Sequence, residues 1–161
     1  MQIETERFGT FELNDKKTIL FPHGIPGFDE LRRFILLETD ETKPLLWLQS
    51  LENTHIALPV LIPFEFVSDY YVDVRDSELE DLKIAEAEDL LTLCVVVIPS
   101  DIEKMTVNLA SPIVINTKEG IGKQLIIDAA TLPLRFPIYE KIMEKLVKEG
   151  KADAGTVAQS R

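Results

Sequence analysis

At 161 residues the chain suits a single domain, and 45% hydrophobic residues are enough for a real core. Twenty-eight acidic against seventeen basic residues leave a formal net charge of −11, a field that repels a phosphate backbone, opposes direct nucleic-acid binding and favours basic partners. The single cysteine, Cys94, excludes an intrachain disulfide and fits a reducing compartment; the N-terminal stretch lacks the apolar core of a secretory signal, and no run nears the roughly 20 apolar residues of a membrane helix, so a soluble cytoplasmic protein is expected.

Short β segments are predicted over residues 2–13, around Phe8-Gly9-Thr10-Phe11, with Gly9 at a turn or bulge. Asn14 to Lys17 reads as a turn and Thr18 to Phe21 as a strand. The loop Pro22-His23-Gly24-Ile25-Pro26-Gly27-Phe28 follows, and its Pro26-Gly27 suits the centre of a type II turn. The loop is either a structural turn or part of a partner-binding surface, which makes His23 and Ile25 candidate contact residues. One helical turn is expected over 29–33, then a strand over Phe34 to Thr39 and a turn at Asp40 to Lys43.

In Pro44 to Phe66 two apolar runs, Leu45 to Leu51 and Ile56 to Ile62, flank the polar Glu52-Asn53-Thr54-His55, the pattern of a β-hairpin. Pro59 lacks an N–H and Pro63 follows, so the second strand reads as an edge or bulged strand that pairs fully on one side at most. Ser77 and Glu80 match a capping box and predict a helix from there to about Ala87. Leu90 to Ile98 is nearly all apolar, as expected of a strand buried on both faces, with Cys94 and Val96 in the core. Met105, Val107 and Leu109 alternate onto one face. Ile113 to Asn116 and Lys123 to Asp128 read as a second hairpin around Glu119-Gly120. Ile138 to Glu149 is the clearest helix, with Ile138, Ile142, Met143, Leu146 and Val147 on one face, Pro137 before it and Gly150 after it. Together the elements predict a mainly β fold, a small antiparallel β-barrel-like domain with two or three short helices, over residues 1–150. A disordered C-terminal tail is expected over 151–161.

Catalytic and cofactor chemistry finds little purchase. His23 and His55 are the only histidines, and with Cys94 inside an apolar strand they do not make the three or four ligands of a zinc site. Gly120-Ile-Gly122-Lys123 matches only the tail of a phosphate-binding loop: Thr117 stands where the first glycine belongs and Gln124 where a Ser or Thr is required. No cofactor, metal, membrane or small-molecule substrate is expected. The enzyme reading that remains is a small β-barrel hydrolase using paired carboxylates; another is a carbohydrate-binding module with Trp47 as its platform.

One asymmetry points to binding. Between Glu65 and Glu103 there are twelve acids against Arg75 and Lys83, a balance of −10 that accounts for almost the whole net charge. A surface of this kind docks a basic protein and steers its approach. The candidate contact residues are Glu65, Asp69, Asp73, Asp76, Glu78, Glu80, Asp101 and Glu103, with Tyr70 and Tyr71 as apolar anchors.

Four stretches in order, Phe21-Pro-His-Gly-Ile-Pro-Gly-Phe28, Pro44-Leu-Leu-Trp-Leu-Gln-Ser-Leu51, Leu58-Pro-Val-Leu-Ile-Pro-Phe64 and Thr106-Val-Asn-Leu-Ala-Ser-Pro-Ile-Val-Ile-Asn116, resemble the FliW family of flagellar assembly factors, and Gly122-Lys-Gln-Leu-Ile-Ile127 fits as well. The resemblance spans roughly residues 1–145. It implies a small β-barrel-like regulator, not an enzyme, that binds flagellin and also binds CsrA, an RNA-binding repressor of flagellin translation, which it antagonises once flagellin has been exported.

Overall fold

The computed structural model of the chain describes residues 2–13, 17–127 and 132–149. The turn expected at Asn14 to Lys17 falls largely outside them, as do Asp128 and the tail over 151–161. Eleven strands and two α-helices are described: β1 (Gln2–Thr5), β2 (Gly9–Glu12), β3 (Thr18–Leu20), β4 (Arg33–Glu38), β5 (Leu46–Ser50), β6 (Ala57–Leu61), α1 (Asp76–Asp81), β7 (Leu90–Val97), β8 (Thr106–Val107), β9 (Ile113–Asn116), β10 (Ile121–Gln124), β11 (Phe136–Pro137) and α2 (Tyr139–Lys148). Among the described residues no helix is long and apolar enough to cross a membrane.

Seven of the strands close into a barrel in the order β3-β4-β5-β6-β7-β9-β10, with β10 returning to β3. Every pairing is antiparallel except that last one, a parallel seam made by Ile121 opposite Leu20. The fold is therefore the expected mainly β barrel.

Side-chain alternation explains why some strands show no polar face. Leu91, Leu93 and Val95 of β7 point into the barrel with Phe21, Phe34, Leu48, Val60, Ile113 and Ile115. Cys94 and Val96 point outward, where α2 covers them with Ile138 and Ile142. A barrel strand roofed by a helix is apolar on both faces. The roof ends before the strand does: Val97 and Ile98 are exposed, against the expectation for the end of this run. Met105, Val107 and Leu109 are all buried, as their spacing predicts. On α2 the buried stripe ends at Leu146, and Val147, expected on it, is exposed.

Four local expectations are corrected. The strand carrying Pro59 is not an edge, since β6 lies between β5 and β7. It pairs with β5 over Ala57 to Val60 but with β7 only through Val60 and Leu61, so the missing N–H falls outside the shorter ladder. The helix expected from Ser77 to Ala87 is the six-residue α1. Arg75 holds its N-cap position without a side-chain bond, so the capping box does not form. In place of a helical turn over 29–33, Asp29 and Glu30 make a tight turn, with the Leu31 N–H donating to the Phe28 carbonyl at 3.0 Å, and Arg33 already belongs to β4. Ile25, offered as a surface residue, is 2% exposed and belongs to the barrel core. Its loop is a structural turn: Phe28 N–H donates to the Ile25 carbonyl at 2.7 Å, and Gly27 at φ +89° supplies the positive φ that a type II turn requires. His23 is exposed on the same loop.

Under α2 the Tyr70 hydroxyl donates to the Leu109 carbonyl at 2.7 Å, and the Cys94 thiol lies 3.8 Å from the tyrosine oxygen. Burial pushes the Cys94 thiol up to about 12, partly offset by its bond to Tyr70; burial and then Cys94 raise Tyr70 well above its ordinary value. Both groups stay protonated in the folded chain at pH values where the unfolded chain ionises, so the unfolded state then binds fewer protons. Stability is therefore expected to hold to about pH 8.5 and then fall, at a slope approaching about 1.4 kcal/mol per pH unit for each group. Urea unfolding between neutral and strongly alkaline pH measures this. Cys94→Ala should flatten the first part of the fall; curves that run parallel for the two proteins would refute the assignment.

Candidate partner-binding surface

The acidic stretch leaves the barrel after β6 and is laid over its outside. A 3₁₀ turn at Pro63–Glu65 leads into Phe66, Val67 and Tyr70, which plug into the cluster beneath α2. Val72 packs against that cluster and against a second one, where Leu82, with Val74 and Ile84, meets Val114 of β9 and Leu125. The inward positions of this strap are taken by apolar residues, so its acids are left on the outside. Glu65, Asp69, Asp73, Asp76, Glu80, Asp101 and Glu103 are exposed, and Glu78 is half-buried.

Tyr70 is the correction among the candidate contacts: at 7% exposure, with its hydroxyl committed to Leu109, it anchors the strap and not a partner. Tyr71, at 73% exposure, is free to touch one.

The strap is held at two points. Lys123 of β10 lies 2.5 Å from Glu78 and 3.6 Å from Asp81, an arrangement that raises the lysine's proton affinity, chiefly through the bond to Glu78. The Asn116 side-chain amide, 1% exposed, donates to the Leu82 and Lys83 carbonyls at 2.8 and 3.1 Å, while its oxygen accepts from the Lys118 and Glu119 N–H groups at 3.0 and 3.1 Å. Lys83 itself sits at φ +58°, a conformation uncommon outside glycine.

Contiguous in sequence, the acids are divided in space. Glu65 lines a groove of about 460 Å³ with Phe66, the α2 residues Lys141, Glu144, Lys145 and Lys148, and Glu149 at the end of that helix. Asp101 and Glu103 belong to the turn around Ile102–Lys104, where Asp101 Oδ1 accepts from Glu103 N–H at 3.2 Å; that turn also packs on α2. Asp73 and Glu78 lie elsewhere, with Arg75, around a depression of about 210 Å³ whose other wall is Leu125, Ile126 and Ile127. Ile126 is 81% exposed. The strand expected over Lys123 to Asp128 would include it, but β10 ends at Gln124. The only hint was an apolar Leu-Ile-Ile run following the polar Lys123 and Gln124.

These arrangements bear on the enzymatic and sugar-binding readings. Of the depression's carboxylates, Glu78 is committed to Lys123, an ion pair and not an acid–base pair. Trp47 is 4% exposed, so it is no platform for a sugar. The turn of the β1–β2 hairpin covers it: Arg7 lies 4.3 Å above the ring centroid, Phe8 packs edge-on at 5.9 Å, and the indole N–H donates to Thr42 Oγ1 at 2.9 Å.

The model of one protein family, described as FliW protein, matches residues 2–138. The flagellar assembly factor FliW of Clostridium botulinum is 38% identical over 141 residues, covering 88% of this chain and 99% of the relative. That of Thermoanaerobacter pseudethanolicus is 41% identical over 143 residues, covering 88% and 95%. A crystal structure of the flagellar assembly factor FliW superposes with a TM-score of 0.78 at 30% identity, covering 86% of this chain and 99% of that one.

Proposed function

This chain belongs to the FliW family of flagellar assembly factors, and from that premise we propose that it is a cytoplasmic, non-enzymatic regulator that binds flagellin and antagonises the RNA-binding translational repressor CsrA. Flagellin that accumulates occupies the protein and leaves CsrA free to repress. Export of flagellin frees the protein to bind CsrA and relieve repression of flagellin translation. The observation that supports this reading most is the strap: Phe66, Val67, Tyr70 and Leu82 are buried while its acids, Glu78 half-buried apart, are exposed, so the chain presents anchored negative charge to a partner whose own ligand is a polyanion.

Antagonism then has two routes, covering the RNA site of CsrA or placing negative charge beside it. RNA affinity depends strongly on phosphate contacts, and screening confines a charge's reach to about 8 Å at physiological salt. Only acids close to the RNA path contribute, and the division of the acids between the α2 side and the α1 side makes the two sets separable. The test neutralises each set in turn, Glu65→Gln with Asp101→Asn and Glu103→Gln, then Asp76→Asn with Glu80→Gln. CsrA affinity and RNA displacement are measured separately at two salt concentrations. Neutralising the docking set should slow association, most at low salt. Neutralising a set that only faces the RNA should preserve CsrA affinity and restore RNA binding in the ternary mixture. If every variant that keeps CsrA affinity also keeps full displacement, charge repulsion is not the mechanism.

A further inference from the structure

We propose that the β1–β2 hairpin is a flap that lifts off the barrel while the barrel stays folded, and that lifting it uncovers Trp47. Opened, the outer face of β5 presents an indole ring that the closed chain keeps from solvent.

The hairpin forms a two-stranded sheet of its own, and neither strand joins the ladder of the barrel. Among the described residues, its apolar side chains Ile3, Phe8 and Phe11 belong to none of the clusters that hold the barrel together. It is tied down at its tip, Glu6-Arg7-Phe8. The Glu6 N–H donates to the Thr54 carbonyl in the β5–β6 turn at 3.2 Å. Arg7 and Phe8 lie on the indole. Glu6 Oε2 also meets His55 Nδ1 at 3.2 Å, but both side chains are mostly exposed, and such a pair holds little. The tip therefore rests chiefly on two contacts with one ring. A unit with so little buried apolar contact opens at a lower free energy than the whole domain unfolds.

The seat beneath the tip carries a cost of its own. Gln49 follows Trp47 on the same face of β5 and is fully buried. Its Nε2 donates to the Ser50, Thr54 and Ile56 carbonyls at 2.9, 3.2 and 3.1 Å. Carbonyls accept only, so these bonds fix which way the amide points. That leaves Oε1 buried without a hydrogen-bond partner among the described residues. An unmatched buried acceptor raises the free energy of the closed arrangement. The Thr54 carbonyl, shared by Gln49 and Glu6, joins this seat to the flap, so lifting the tip opens a way for water toward it.

Trp47 is the only tryptophan, and its indole N–H, donated to Thr42 Oγ1, gives a single exchange signal at the covered site. The test follows hydrogen exchange of that N–H and of the β7 amides in the full chain, in native buffer and in low urea. The indole should exchange through an opening that exposes little surface, so its rate should barely respond to urea, while the β7 amides follow the steep dependence of global unfolding. Phe8→Ala should speed indole exchange by about tenfold, the effect of losing an edge-on aromatic pair and its contact area. Arg7→Ala, a change at an exposed side chain, should speed it by about two- to fivefold through the lost cation–π contact. Neither variant should alter the exchange of β7. An indole that exchanges at the rate and urea dependence of β7 would show that hairpin and barrel open as one unit, and the flap would be refuted. Indole exchange that neither variant changes would equally refute it, since the opening would then run through the Thr42 side of the ring.

Discussion

Val96→Asp is expected to abolish cooperative folding. Val96 is 2% exposed, pairs with Val107 of β8 and lies in the cluster that joins the outside of the barrel to Ile138 and Ile142 of α2. A carboxylate there meets only apolar neighbours. Removing a partner from a buried charge costs about 3–5 kcal/mol, and a charge that never had one is no better placed. Domains of this size have about 5–15 kcal/mol of stability in all, and the lost valine packing adds to the deficit. Val96→Ala separates charge from packing: the smaller cavity should cost about 1–3 kcal/mol and leave the chain folded. Circular dichroism with urea unfolding reads both. A Val96→Asp chain that unfolds cooperatively near the parent midpoint would mean that β7 is not the central strand.

Asn116→Ala is the second large effect, and it is local before it is global. The side chain satisfies two carbonyls of the strap and two N–H groups of the β9–β10 turn. Alanine leaves these four groups without that partner, the Leu82 carbonyl in a buried place and the other three in partly buried ones, and each group left unsatisfied costs about 1–3 kcal/mol unless water reaches it. A net loss of about 2–4 kcal/mol is expected once the turn relaxes toward solvent. The positive φ at Lys83 also loses the contact that holds it. Hydrogen exchange should show residues 76–84 losing protection well ahead of β7 and β9. Equal loss of protection throughout the barrel would mean that the strap and the barrel are one cooperative unit. Asn116→Asp gives a sharper contrast: it keeps the acceptor for Lys118 and Glu119 but sets a carboxylate against the Leu82 and Lys83 carbonyls, and it should be at least as destabilising.

Much of the barrel was legible in the chain because its signals are local. The two hairpins follow from apolar runs joined by polar turns, the turn at Ile25–Phe28 from Pro26-Gly27, and α2 from a stripe repeating at helical spacing. These depend on φ preference and on which face of a short element is apolar. The near-continuous apolar run of β7 also told that both its faces are covered, since water on either face would favour polar residues there.

What the sequence by itself determined, then, is which runs are apolar enough to build a core and the sign of the charge that remains: a β domain with a real core and a strongly acidic middle third. The tertiary structure decided everything that depends on which distant residue lies opposite. Tyr70 and Tyr71 are identical and adjacent, yet one is sealed under α2 and the other faces solvent, because the path of the strap over the barrel turns only the first of them onto the cluster. Pro59 lies in an interior strand because β7 pairs with only the end of β6. Ser77 and Glu80 carry a capping signal, but Arg75 sits at the cap once Asn116 and Lys123 hold the strap to β9 and β10. The acids that run together in the chain are parted around α1 and α2, and Ile126 is brought to Asp73 from the far side of the barrel sequence. Burial and pairing are long-range quantities, set by barrel closure, and no local pattern of residue types encodes them.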